Sequence, residues 1–252
     1  MRAKESSENS RERYNARDVV EAYAALDGLS AAEDRLFDSF LRPGMDVLDL
    51  GVGAGRTTRA LQGLAGRYVG VDYAERMIDR CRVLFPDADF RVGDAADLSA
   101  FVDGSFDAVV FAFNGIDTLH PDESRRRCLR ECHRVLRDGG VLILSRHNPR
   151  AVLEPATRGE APRRGAAALA HFSYRSARRT ARAGLHAPFW RGHGYQFESA
   201  SGGLLIGRAT RRRAVAEISS AGFEHLETLP STYPRRGGPL SSYWYYFAFR
   251  RR

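Results

Sequence analysis

The sequence predicts an α/β fold built on a doubly wound, mostly parallel sheet. Three observations predict it. Short apolar segments alternate with amphipathic helical ones from residue 46 onward. Turn residues separate them at regular spacing. The first apolar segment runs into a glycine-rich turn that opens a helix. With 252 residues, 43% of them hydrophobic and 28% charged, the chain can bury a sizeable core, which excludes collagen, coiled coil and wholesale disorder. The length suits one large domain, or one domain carrying an insertion.

The elements follow in order. Residues 1–12 read as a disordered polar tail with no apolar leader core, and no run reaches the roughly 18 apolar residues a membrane-spanning helix needs. The expected location is therefore the cytoplasm. Residues 14–27 read as a helix with Val19, Val20, Tyr23 and Ala24 on one face. Ser30 and Glu33 form a capping box for a second helix that runs to about Leu41. Asp46–Leu50 is the first strand, Gly51–Gly55 the turn, and a helix continues to about Leu64. Tyr68–Val71, Asp89–Val92, Phe106–Phe113 and Val141–Leu144 are the next strands, with a helix at Ala74–Phe85 between the second and third. Pro121 opens a helix whose stripe is Cys128, Leu129, Cys132, Val135 and Leu136, ending at Gly139-Gly140. After an irregular stretch at 150–209, the helix Arg211–Ala221, a strand near 223–229 and the aromatic strand Tyr243–Phe249 resume the pattern. Within 150–209, residues 165–183 read as an Ala-rich helix and 192–207 as a hairpin turning at Ser201-Gly202-Gly203.

The formal charge is +8, and 38 of the 39 basic residues are arginine, a usage that fits GC-rich coding. Residues 150–209 hold ten Arg and three Glu, a net of +7, so the rest of the chain is nearly neutral. That excess, including Arg175, Arg178, Arg179 and Arg182, points to an acidic, phosphorylated or peptide partner, or to a solvated face. Cys81, Cys128 and Cys132 lack the paired spacing of a zinc site and read as small buried side chains, so no metal is expected.

Three features carry chemistry. Gly51, Gly53 and Gly55 follow the first strand with GxGxG spacing, which brings backbone amides close to a ligand at a helix start. Asp72 ends the second strand 21 residues after Gly51, where a carboxylate can hold two ribose hydroxyls. Gly93-Asp94-Ala95 follows the third strand, where an acid can accept from an adenine amino group. Asp49 and Asp72 as simple helix caps would leave the glycines and this spacing unexplained.

VLDLGVGAG, VGVDYAERMI, VGDAADL, FDAVVFAFNGID and RECHRVLRDGGVLILS together resemble the successive motifs of the class I S-adenosylmethionine (SAM)-dependent methyltransferases, strongly over residues 45–148 and more loosely over 211–250. The resemblance implies a seven-stranded, Rossmann-like sheet with an antiparallel last strand, formed by 13–149 and 210–252, with 150–209 inserted after strand five as a substrate lid. It implies SAM as the cofactor. Gly51 and Gly53 would pass beneath its methionine part. Asp72 would hold the ribose, with Tyr73 and Met77 near the adenosine. Asp94 and Ala95 would read the adenine, and Phe113 and Asn114 would border the methyl group. Tyr14 or Tyr23 would cover the cofactor, although Tyr23 on its apolar face serves packing equally well. Arg56 could face the ligand or pair with Asp18, Glu21 or Glu33.

Methyl transfer to oxygen or to a protonated amine also requires removal of a proton, which a histidine or carboxylate near the methyl could accept. The candidates, in order, are His147 after strand five, His193 in the insertion, and Asp117 after strand four. His147 reads equally as a residue fixing the loop before Pro149. The expected acceptor is a small molecule or specialised metabolite methylated on O or N, anionic and peptidic acceptors included, and the oligomeric state is left open. Two other classes stay open. An RNA or DNA methyltransferase would use the basic stretch, but Phe113-Asn-Gly-Ile is not the NPPY-type motif. A non-catalytic SAM-binding interaction protein would carry the same cofactor motifs without turnover.

Overall fold

The computed structural model describes residues 10–152, 187–198 and 204–252. The Ala-rich segment at 165–183 with its four arginines, Phe172, Tyr174 and the hairpin turn at 201–203 lie outside the described residues. Helices α1 (Arg17–Ala24) and α2 (Ala31–Phe40) precede strand β1 (Asp46–Leu50). There follow α3 (Thr58–Leu64), β2 (Arg67–Asp72), α4 (Glu75–Leu84), β3 (Asp89–Val92), β4 (Phe106–Phe111) and a 3-10 turn (Gly115–Thr118). Next come α5 (Asp122–Val135), β5 (Leu136–His147), α6 (Ala187–Arg191), β6 (His193–Glu198), β7 (Leu204–Ala209), α7 (Arg211–Ser220), β8 (Phe223–Pro230) and β9 (Trp244–Arg251).

Seven strands form one sheet in the order β3-β2-β1-β4-β5-β9-β8, and β6 and β7 form a separate antiparallel pair. Strands β1 to β5 run parallel, while β9 is antiparallel to both β5 and β8. This is the expected doubly wound sheet with its reversed last strand.

The sheet has helices on both faces because its strands carry apolar side chains at consecutive positions. Leu48, Val109, Phe247 and Phe249 face Leu129, Cys132, Ala214 and Ile218 of α5 and α7. Their neighbours Val47, Val110 and Ala248 face Leu36, Phe37, Leu61 and Ile78 of α2, α3 and α4. Each such large side chain contributes about 1.5–3 kcal/mol on full burial. All three cysteines are free and buried.

Helix α2 starts with the expected capping box: the Glu33 N–H donates to Ser30 Oγ and the Ser30 N–H to Glu33 Oε2. Several boundaries differ from the sequence reading, three of them for a clear local reason. Residues 10–14 are already helical, so the expected disordered tail gives way to helix before residue 12, and helix α1 starts at Arg17 after a turn at Asn15. Asn15 spends its side chain elsewhere, accepting from the Arg76 N–H at the start of α4 and donating to the Arg11 carbonyl. Helix α5 stops at Val135, short of the glycines, because Leu136 turns extended and pairs with Phe106. The freed carbonyls of Arg134 and Val135 accept the N–H groups of Gly104 and Ser105. Strand β4 stops at Phe111, because Phe113 and Asn114 adopt left-handed backbone angles, with φ of 52° and 62°.

No helix among the described residues is long and apolar enough to cross a membrane. The β6–β7 hairpin packs on the 3-10 turn and on β5, so this part of the 150–209 stretch stands over the carboxyl ends of the central strands.

Candidate active site

A cavity of about 230 Å³ opens at the carboxyl ends of the parallel strands. Parallel strands all end on one side, and the loops after β1, β2, β3, β4 and β5 therefore converge there. Gly51 and Gly53 form its floor after β1, both with positive φ, 60° and 56°. A side chain at Gly51 or at Gly115 would strike the ring of Phe111, so these two turns can close around that ring only as glycines.

Asp72 forms the wall after β2 and is nearly fully buried. Its Oδ2 accepts the Gly53 N–H at 2.9 Å and its Oδ1 accepts the Ala74 N–H at 2.9 Å. Burial raises its pKa, and the backbone N–H groups of Ala74 and Gly53 oppose that rise. The carboxylate thus ties the glycine turn to the start of α4 and keeps further lone pairs for a ligand. Tyr73 and Met77 line the same wall, and Asp94 and Ala95 line the next one after β3. Asp94 Oδ1 accepts the Ala96 N–H at 2.8 Å.

Tyr14 and Tyr23 close this half from the leading segment. Tyr14 meets both Tyr23 and Tyr73 edge to face, with centroids 5.9 Å and 6.0 Å apart. Burial raises the Tyr14 and Tyr23 hydroxyls above the ordinary tyrosine range, so both stay phenols. Arg56 settles on the third of its three candidate acids. Its guanidinium grips Glu33 through Nη1 and Nη2 at 2.9 Å and 2.5 Å and stacks over Phe113 at 5.0 Å.

Phe113 and Asn114 line the far half. The Asn114 N–H donates to Ser145 Oγ at 2.7 Å, which pins the left-handed turn to β5. Tyr23, Phe113, Trp244 and His147 then follow one another edge to face at 6.2 Å, 6.4 Å and 6.3 Å. Leu119 and Ile206 of the hairpin complete this apolar wall.

His147 is the titratable group at this end. Its Nδ1 lies 3.2 Å from Asp117 Oδ2, and its backbone N–H donates to the same oxygen at 2.6 Å. Asp117 is fully buried behind it. Burial raises the Asp117 carboxyl, but the Arg146 guanidinium and the His147 hydrogen bonds outweigh burial and hold it below the usual carboxylate range. Asp117 is therefore held as a carboxylate against the His147 backbone and ring. His193, by contrast, is exposed on β6 opposite Ala209 and lies outside the cavity lining.

All ten residues assigned to the cofactor by sequence line this one cavity, as does His147. Trp244, Leu119, Thr118 and Ile206 were missed. The signal for Trp244 was its position at the start of a reversed last strand, which sets it opposite His147 in the register. Nothing local marks Ile206, because hairpin docking alone brings it to the cavity.

The cavity suits an adenosyl group. Asp72 and Asp94 offer carboxylates, the glycine turn offers backbone, and the Tyr73 hydroxyl and Asn114 Oδ1 are buried with no protein hydrogen-bond partner. Buried polar atoms in that condition call for a ligand or water.

Residues 48–144 match the model of the methyltransferase domain family. A demethylmenaquinone methyltransferase from Thermotoga maritima is 39% identical over 100 residues, 39% of this chain and 42% of that protein. A ubiquinone biosynthesis O-methyltransferase from Xanthomonas campestris pv. campestris is 32% identical over 110 residues, 42% of this chain and 44% of that protein. The matched stretch thus spans less than half the length of these relatives. The structure of the CcbJ methyltransferase from Streptomyces caelestis superposes with a TM-score of 0.63 at 21% identity, covering 95% of this chain and 98% of that one. Over residues 48–144 the chain is thus similar to methyltransferase domains, and its fold is that of the methyltransferase structure it superposes on.

Proposed function

We propose that this chain transfers the methyl group of SAM to a hydroxyl oxygen of a small-molecule acceptor, with His147 as the base. SAM, when bound, supplies an already activated methyl group. Asp72 and Asp94 would hold its ribose and adenine, Tyr73 and Met77 would pack on the adenosine, and Phe113 and Asn114 would border the methyl. The chain's remaining work is to orient the acceptor and to take its proton. Orientation of this kind is worth roughly 7–11 kcal/mol.

The observation that carries the reading is the His147–Asp117 pair at the end of the cavity opposite the two acidic loops. Asp117 engages Nδ1 and leaves Nε2 as the nitrogen able to accept the acceptor's proton. The apolar wall of Phe113, Trp244, Leu119 and Ile206 favours a flat, largely apolar acceptor body. Two relatives named for quinone pathways support the same class. The hairpin β6–β7 serves as a roof for the acceptor.

The test is a product assay with methyl-labelled SAM across phenols, hydroquinones, carboxylated rings, acidic peptides, RNA and DNA. Label transferred to a hydroxyl of a ring compound supports the reading. Transfer only to acidic peptides or nucleic acid, or SAM binding with no transfer at all, overturns it.

A further inference from the structure

The buried charges behind His147 do not end at Asp117. Arg146, 1% exposed, donates from Nε to Asp117 Oδ1 at 2.8 Å and from Nη1 to Glu217 Oε2 at 2.5 Å. The other oxygen of Glu217 accepts from Arg125 Nε at 2.7 Å. Arg125 in turn donates to the Tyr195 hydroxyl at 2.9 Å, and that hydroxyl donates to the Leu119 carbonyl at 3.2 Å. The chain therefore runs from the cavity histidine on β5, through α7 and α5, to the hairpin and back to a cavity-lining loop.

Burying such charges costs several kcal/mol each, and a buried ion pair is often no more stabilising than an apolar replacement. Stability alone gives little reason for so many charges in one line. Their geometry supplies another. Arg146 occupies Asp117 Oδ1, so Oδ2 is left to His147 for both its backbone N–H and its ring Nδ1. A guanidinium can turn about its long side chain, and Glu217 fixes the plane of this one by holding Nη1.

We propose that Glu217 is a positioning residue: through Arg146 it divides the two oxygens of Asp117 and so fixes the His147 ring, and through Arg125 it seats the Tyr195 hairpin over the acceptor end. The proposal rests on the reading of His147 as the base, and it adds a residue that no cavity lining would reveal. Glu217 lies outside the cavity lining.

The experiment reads the tautomer of neutral His147 by long-range nitrogen–proton NMR on the full-length, 15N-histidine-labelled protein with S-adenosylhomocysteine bound. In the wild type the ring proton should sit on Nδ1, facing Asp117. In Glu217→Gln the population protonated on Nε2 should rise about ten-fold, the scale set by loosening one charge-assisted hydrogen bond. Glu217→Asp should restore much of the wild-type ratio, and the His133 and His225 signals should not change. Arg146→Lys should shift the ratio in the same direction, because a lysine cannot bridge two carboxylates in a fixed plane. Arg146→Lys disturbs the core more than Glu217→Gln does, so Glu217→Gln is the deciding variant. An unchanged His147 tautomer in a folded Glu217→Gln protein overturns the positioning role. A wild-type His147 already protonated on Nε2 overturns instead the base reading beneath it.

Discussion

One oxygen of Asp117 serves His147 twice: Oδ2 accepts the backbone N–H at 2.6 Å and lies 3.2 Å from ring Nδ1. A single buried carboxylate therefore sets both the place of the residue and the direction of its ring. The loop-fixing and proton-accepting readings of His147 become two consequences of one contact, and they can be separated by choosing a side chain that keeps only the first.

His147→Asn is that side chain. It retains the backbone N–H bond to Asp117 and can offer an amide to Oδ2, but it cannot accept a proton at neutral pH. Turnover with the assay's acceptor should fall about 10²–10⁴-fold, while calorimetric affinity for S-adenosylhomocysteine should stay within a factor of about two. Near-normal turnover would leave His147 with the loop alone.

Asp72 joins the glycine turn, the start of α4 and the cavity through one carboxylate. Asp72→Ala should weaken S-adenosylhomocysteine binding about 10²-fold, from the loss of charged acceptors worth about 1.5–3 kcal/mol each. Ligand at one hundred times its dissociation constant should stabilise the wild type by about 2.7 kcal/mol, read as a rise in melting temperature. NADH should give no such rise; stabilisation by NADH and not by S-adenosylhomocysteine would refute the cofactor assignment.

Asp49 sits beneath the glycine turn, accepting from Thr57 Oγ1 at 2.7 Å and from the Tyr68 hydroxyl at 3.0 Å. Burial pushes its pKa up to about 6, against the lowering effect of those two hydroxyls. A carboxyl raised on folding holds its proton more tightly in the native state. Its contribution is complete below the unfolded pKa near 4 and is lost as pH rises through about 6. The stability of wild type relative to Asp49→Asn should therefore decline by about 3 kcal/mol between roughly pH 4 and pH 7. Urea melts at several pH values measure it; a constant difference would mean that Asp49 is not protonated in that range.

Arg56 and Glu33 form a buried pair, with side chains 10% and 2% exposed. Glu33 also caps α2 through the Ser30 N–H. Glu33→Gln leaves the guanidinium over Phe113 without its charge partner, at a cost of about 3–5 kcal/mol, or on the order of 10 °C in melting temperature. A scan in the absence of ligand checks this. A shift below about 2 °C would show that Arg56 finds another partner or reaches solvent.

Local chemistry was enough to read the parallel sheet and the capping box, and local chemistry with the family resemblance named ten residues that the fold gathers around one cavity. Glycines at GxGxG spacing, acids at strand ends and apolar runs buried on two faces each force a neighbourhood of a few residues, and parallel strands carry their ends to one side. The roles at the acceptor end were decided by partners far apart in sequence. Asp117 reads as one loop carboxylate among several until Arg146, 29 residues away, is seen to hold its carboxyl below the usual range. His193 and His147 look alike as loop histidines, yet hairpin pairing turns one to solvent while Asp117 holds the other at the cavity. Arg146 stands in an apolar strand, and nothing local in the sequence names its partners. Which acids face it depends on how α7 and the 3-10 turn pack against β5. Such packing is set by the summed burial of whole elements, and no window of neighbouring residues contains it.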